Sequence, residues 1–97
     1  MPTKKLILDD IIQEKMKDPE FAGFYLKYRL EYQLISEIIQ VRKEKNITQQ
    51  VLAQLSGVRQ QVISRMESHQ SFPNLTTLAK IASALGLQLT FKTIDSN

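Results

Sequence analysis

Cysteine is absent from this 97-residue chain, which excludes a disulfide scaffold and any thiolate metal site. There is a single histidine, His69, so no histidine cluster can be assembled, and that residue reads as part of a loop without chemistry. Glycine and proline number three each, and neither occurs between Gly23 and Asn46. That stretch can be filled by one long bent helix or by two helices meeting near residues 29 to 31. No apolar run approaches the length of a membrane span. The opening Pro2-Thr3-Lys4-Lys5 before Leu6-Ile7-Leu8 resembles the start of a signal peptide, but Asp9 and Asp10 interrupt it before any insertable run. One domain is expected, soluble and cytoplasmic, without a membrane partner. Ser36, Ser56 and Ser64 have no histidine nearby in sequence and no elbow motif, and Asp9-Asp10 reads as solvated helix surface. Hence no catalytic residue, metal or cofactor is expected, and the chain is not read as an enzyme.

What is present centres on residues 47 to 66. Thr48 is a good N-cap for a helix with Val51, Leu52 and Leu55 inward and Ala53 small enough for close helix approach. Gly57 ends it, since a glycine just past the last apolar position can take the left-handed conformation, and Val58 can then plug into the core. A second helix follows with Val62, Ile63 and Met66 inward, which turns Arg59, Gln60, Gln61, Ser64 and Arg65 outward. Two short helices at a tight glycine corner make a helix-turn-helix, whose second helix enters the DNA major groove. A small helical bundle with a solvated polar face has the same spacing. Solvated faces, however, are usually rich in Glu and Lys, whereas Gln and Arg are the side chains that contact adenine and guanine edges bidentately.

The distribution of charge is more informative than its total of +3. From Ile38 to Lys80 six bases, Arg42, Lys43, Lys45, Arg59, Arg65 and Lys80, face only Glu44 and Glu67, a local excess of +4. The flanks carry seven bases and eight acids, or −1. Positive charge focused on the helix-turn-helix suits phosphate contact, and the nearly neutral remainder suggests a second task.

Elsewhere the pattern is helical until the end. Residues 4 to 17 can form a short amphipathic helix with Leu6, Ile7, Ile11, Ile12 and Met16 on one side. Asp18-Pro19-Glu20 is a stop followed by a start: Asp caps, Pro fits a first turn and Glu complements the helix dipole. Phe21, Phe24, Tyr25, Tyr28, Tyr32, Ile35 and Ile39 then form one stripe, with Leu30, Leu34, Ile38 and Val41 beside it. Together they are wider than one core helix of a small domain needs. Asn46 is suited to a left-handed helix terminus, and His69 can share that geometry. After a loop to Pro73, Asn74 caps a last helix with Leu75, Leu78, Ile81, Ala82 and Leu85 inward, ended by Gly86. Leu87, Leu89 and Phe91 alternate with polar residues, so a strand is expected there, and it must pair with another chain or a second copy.

The run from Ile38 to Leu85 resembles the Cro/cI-type (XRE) helix-turn-helix family. The matching residues are Ile38, Val41-Arg42, Thr48-Gln49, Leu52-Ala53, Gly57-Val58, Ile63-Ser64, Glu67, Pro73, Leu78, Ile81-Ala82 and Leu85-Gly86. Asp18-Pro19-Glu20-Phe21-Ala22, the helical lead into Ile38 and the apolar tail resemble the short HigA-like antitoxins, which neutralise a RelE-fold ribonuclease toxin and repress their own operon. The resemblance implies an all-α fold, a five-helix Cro/cI-like helix-turn-helix domain over residues 34–86. An N-terminal helical extension, 1–33, would bind toxin, and 87–97 would be a short C-terminal β-strand and tail. It further implies that Gln49 touches phosphate, that Arg59, Gln60, Gln61 and Arg65 meet base edges and backbone, and that Arg42 pairs with Glu67. Lys43 is expected to contact phosphate and Ser64 to share the DNA face. Two positions depart from the family pattern: Arg59 stands where Ser or Thr commonly caps the recognition helix, and His69 where glycine is common.

The expected partners are double-stranded DNA with a palindromic operator, a second copy in a homodimer, and a RelE/HigB-like toxin. Phe21, Phe24, Tyr25 and Tyr28 are the candidate toxin-binding residues, while Tyr28, Tyr32 and Ile35 are also expected to pack on the domain. A phage-type or general regulator without a toxin, and a helical interaction protein that does not bind DNA, are the competing readings.

Overall fold

The computed structural model describes residues 4–94, with side chains from Leu8 onward. Among the described residues there are five helices and no strand: α1 Lys4–Lys15, α2 Pro19–Glu44, α3 Gln49–Ser56, α4 Gln60–Glu67 and α5 Leu75–Ala84. With no breaker after Gly23, α2 is one helix of 26 residues rather than two. The chain divides into two compact units, one up to Gln33 and one from Leu34.

In the first unit Asp18 acts as the start signal that its chemistry suggests. Its Oδ1 accepts the Glu20 backbone N–H at 3.0 Å, and its carbonyl accepts that of Ala22 at 2.9 Å. Phe21 and Tyr25, one turn apart, stack with centroids 6.0 Å apart. The Lys15 ammonium lies 5.7 Å from the Phe21 centroid and the Arg29 guanidinium 6.0 Å from that of Tyr25, which places a cation beside each ring. Of the expected inner side of α1, Ile12 and Met16 are half-buried and Ile11 is exposed, while the side chains of Leu6 and Ile7 lie outside the described set. No described side chain from Leu8 to Gln33 is buried.

The second unit holds the core. Ile35 and Ile38 of α2, Leu52 of α3, Val58 of the turn, Ile63 and Met66 of α4, and Leu78, Ile81 and Leu85 of α5 form one cluster. Leu52, Ile63, Met66, Ile81 and Leu85 are fully enclosed, each worth about 1.5 to 3 kcal/mol over an exposed position. α3 packs on both α4 and α5. Local chemistry sets the helix ends. Thr48 Oγ1 accepts the Val51 N–H at 3.1 Å and Asn74 Oδ1 accepts that of Thr77 at 2.8 Å, caps worth about 1 kcal/mol each.

The C-termini of α2 to α5 close on left-handed residues, two of which are glycine: Asn46 (φ 57°), Gly57 (72°), His69 (62°) and Gly86 (75°). The residues after three of them, Ile47, Gln70 and Leu87, send their N–H groups back to the carbonyls of Arg42, Arg65 and Ala82, closing six-residue loops of the Schellman kind. The positive φ expected at Asn46, Gly57 and His69 is thus found.

Three expectations are corrected. Val51 and Leu55 of α3 and Leu75 of α5 are exposed, not inward. α3 buries the stripe of Leu52 with half-buried Gln49, Ala53 and Ser56, and at 100° per residue Val51 and Leu55 fall to its flank. Tyr28 and Tyr32 are exposed, by 73% and 63%, and only Ile35 of that trio is buried. The tail from Leu87 to Ile94 is irregular rather than a strand. A lone extended segment has no partner to satisfy its ladder, and beyond Leu87 no backbone hydrogen bond joins the tail to another element among the described residues.

Candidate nucleic-acid interface

The corner between α3 and α4 is built by Ser56, Gly57 and Val58. Ser56 Oγ accepts the Val58 N–H at 3.2 Å, Gly57 turns the chain, and Val58 is buried beneath it. α4 therefore starts at a fixed angle, anchored by Ile63 and Met66, with Val62 half-buried. On its other side Arg59, Gln60, Gln61, Ser64 and Arg65 are all exposed. Arg59 occupies the N-cap position in extended conformation (φ −61°, ψ 138°) and makes no side-chain cap bond. The first N–H groups of α4 thus lack the side-chain cap that α3 and α5 possess, leaving a partly positive helix end at Arg59, while Arg65 stands in the last turn.

Beneath this surface lies a polar brace. Arg42 Nε donates to Glu67 Oε2 at 2.7 Å and Nη2 to Oε1 at 2.8 Å, while Nη1 donates to the Ile47 carbonyl at 2.9 Å. The pair implied by the family resemblance is present, and its side chains are only 11% and 8% exposed. Gln49 Nε2 donates to Glu67 Oε1 at 3.1 Å. One carboxylate therefore joins the end of α2, the start of α3 and the end of α4. A charged, bidentate arrangement of this kind fixes geometry as well as charge. Gln49 is half-buried and committed to the brace through one N–H, and Lys43 is exposed.

Sequence reasoning missed two features. Besides the Gln49 bond, Lys45 Nζ donates to the Leu85 carbonyl at 2.7 Å and caps the C-terminus of α5. The two residues are 40 positions apart, and the signal that could have raised the pairing was a basic residue just past α2 with no carboxylate in reach. The second is a groove of about 730 Å³ lined by Leu55, Ser56, Leu75, Ala79, Lys80 and Ala84, so two of the misassigned leucines meet at one place. Of the aromatic candidates, Phe21 and Tyr25 are half-buried and stacked, while Phe24 and Tyr28 are exposed. No group of three His, Cys, Asp or Glu among the described residues could hold a metal ion, and no described helix is long and apolar enough to cross a membrane.

A family model described as helix-turn-helix matches residues 38–92. The chain is 45% identical over 56 residues to an uncharacterized HTH-type transcriptional regulator of Haemophilus influenzae, covering 58% of this chain and 57% of that protein. It is 35% identical over 72 residues to antitoxin HigA1 of Mycobacterium tuberculosis, covering 74% of this chain and 48% of that one. The chain spans about half the length of these curated relatives. A chain in the structure of a toxin-antitoxin module from Streptococcus pneumoniae superposes with a TM-score of 0.68 at 32% identity, over 97% of this chain and 96% of that one.

Proposed function

The chain belongs to the XRE-type helix-turn-helix family of transcriptional regulators, and from that premise we propose that it is the antitoxin of a type II toxin-antitoxin pair. In this reading it represses its own operon as a homodimer on a palindromic operator in the cytoplasm, and neutralises a RelE/HigB-like ribonuclease toxin. The observation that carries the DNA half is the exposed, uncapped start of α4, where Gln60 and Gln61 stand beside Arg59, Ser64 and Arg65. Amides read adenine edges bidentately and guanidiniums read guanine or clamp phosphate. Lys43 and Gln49 contact phosphate, Gln49 through the amide N–H that its bond to Glu67 leaves over.

The toxin half rests on residues 1–33, with 34–86 as the DNA-binding domain and 87–97 as the tail. A helical unit in which no described side chain is buried, but which exposes Phe24 and Tyr28 beside stacked Phe21 and Tyr25, is suited to gain its core from a partner. Likeness over almost the whole chain to a component of a toxin-antitoxin module supports this. A general regulator without a toxin is the second reading, favoured by the Haemophilus influenzae relative, which matches just over half of the chain.

Two measurements test the proposal. The chain should retard its own upstream intergenic DNA in an electrophoretic mobility assay, with a dissociation constant that weakens steeply with salt. It should also restore growth to cells expressing the adjoining reading frame. Retardation without rescue supports the general regulator, and neither result leaves an interaction protein that does not bind DNA.

A further inference from the structure

Gln49 and Glu67 depend on each other unequally. The Glu67 carboxylate, 8% exposed, is gripped by Arg42 at both oxygens, and Arg42 is itself tied to the Ile47 carbonyl at 2.9 Å, so the pair is held in place without Gln49. The Gln49 side chain has one hydrogen bond among the described residues, from Nε2 to Glu67 Oε1 at 3.1 Å. Removing Gln49 would leave the ion pair closed. Removing the pair would leave the amide with nothing to hold it.

Capping and packing place the backbone of Gln49 but not its carboxamide. Gln49 is the first residue of α3, directly after the Thr48 cap, and Leu52 in the same turn is fully enclosed. The amide stands at the end of a flexible stem, and its oxygen and nitrogen exchange places by a half turn. Glu67 removes that freedom. A carboxylate in an ion pair only accepts hydrogen bonds, so the NH2 end of the amide must face it, and the second N–H of that group is left to point elsewhere. A phosphate oxygen also only accepts, so this leftover N–H is the half of the amide that DNA needs. Lysine or arginine at position 49 would be drawn onto the carboxylate, whereas an amide divides its two N–H groups between Glu67 and a ligand. Arg42 balances the charge of Glu67, so the carboxylate does not repel the strand that Gln49 meets.

We propose that Glu67 is a positioning residue for DNA binding: held by Arg42, it aims one amide N–H of Gln49 at a backbone phosphate before DNA arrives. The inference rests on the regulator reading above and gives the ion pair a task beyond stability. Its gain is pre-organisation, because ordering a long side chain on binding costs about 2- to 10-fold in affinity. Since the carboxylate belongs to α4 and the amide to α3, the phosphate contact is also tied to the helix that carries Gln60 and Gln61. A fixed phosphate contact sets the register in which those amides meet the bases.

Ethylation interference on the upstream intergenic DNA reads each phosphate separately. One phosphate per half-site should interfere with the unsubstituted chain and cease to do so with Gln49→Ala and with the Arg42→Met, Glu67→Leu pair. Interference at phosphates that depend on Lys43 should persist in both. Gln49→Ala should weaken binding about 10-fold in the otherwise unsubstituted chain, the worth of one hydrogen bond to a charged group. In the Arg42→Met, Glu67→Leu chain it should cost only about 2-fold, because a mobile amide must be ordered on binding. Arg42→Lys keeps Glu67 balanced, and should lower the melting temperature yet retain the Gln49 phosphate, which separates aiming from stability. An equal Gln49→Ala loss in both backgrounds, or interference at that phosphate surviving the pair substitution, would overturn the proposal. So would free rotation of the Gln49 amide in NMR relaxation of the unsubstituted chain, a measurement that needs no variant. A chain that binds no upstream DNA removes the regulator reading itself, whereas binding in which Gln49→Ala alters no phosphate removes this role alone.

Discussion

Arg42 and Glu67, 25 residues apart, meet in a bidentate pair at 2.7 and 2.8 Å with almost no exposure to solvent. Removing one member leaves the other charge buried without its partner, which is more costly than losing both. Arg42→Ala should therefore lower unfolding free energy in urea by about 3 kcal/mol. Arg42→Met combined with Glu67→Leu should lose much less than the sum of the single changes. Additive losses would mean that the two groups act independently.

Base reading and phosphate contact can be distinguished by their dependence on sequence and salt. Gln60→Ala or Gln61→Ala should cost about 1 to 3 kcal/mol on the cognate operator and little on random DNA. Lys43→Ala should weaken both to a similar extent and reduce the salt slope by about one. Titrations on both DNAs at several salt concentrations decide it, and equal losses on the two DNAs for either glutamine would exclude a base contact.

Gly57 and Gly86 share a left-handed backbone but differ in their surroundings. A Cβ on Gly57 would meet nothing within 4 Å, whereas on Gly86 it would come within 3.1 Å of Lys45 Nζ. Gly57→Ala should cost about 1 to 2 kcal/mol from the backbone alone. Gly86→Ala should cost more by up to about 1 kcal/mol, the worth of a cationic helix cap. In a Lys45→Met background that excess should vanish in thermal melts.

The helix ends were legible because their chemistry is local. Thr48, Asn74 and Gly57 act within four residues of themselves, and so do Asn46 and His69 at their left-handed positions. The Arg42–Glu67 pair was accessible only through family resemblance, since nothing within a few residues of either brings them together. Lys45 on the Leu85 carbonyl and Gln49 on Glu67 depend on how packed helices align. Val51, Leu55 and Leu75 were misplaced for a different reason. Periodicity identifies an apolar stripe but not whether its own chain or another covers it. The same limit applies to the tail, whose alternation marks a segment needing a partner and does not by itself make a strand.

That ambiguity is sharpest at the aromatic residues of α2, and exposure now separates them. Phe24 and Tyr28 stand mostly in solvent, so replacing both by Ala removes little packing within the chain. Such surface changes usually stay within about 0.5 kcal/mol each, and the melting temperature should move by only a few degrees. Operator binding should be unchanged, because neither residue lies on the α4 face. Phe21 and Tyr25 differ, since each is half-buried, stacked on the other and flanked by a cation. Phe21→Ala with Tyr25→Ala should loosen the first unit, seen as faster amide hydrogen exchange in α1 and at the start of α2. If the first unit is the toxin-binding face, Phe24→Ala with Tyr28→Ala should abolish rescue of cells expressing the adjoining toxin, while the folded protein still occupies its operator. Rescue that survives both that pair and the Phe21→Ala, Tyr25→Ala pair would remove these aromatics from the toxin interface and favour the general regulator.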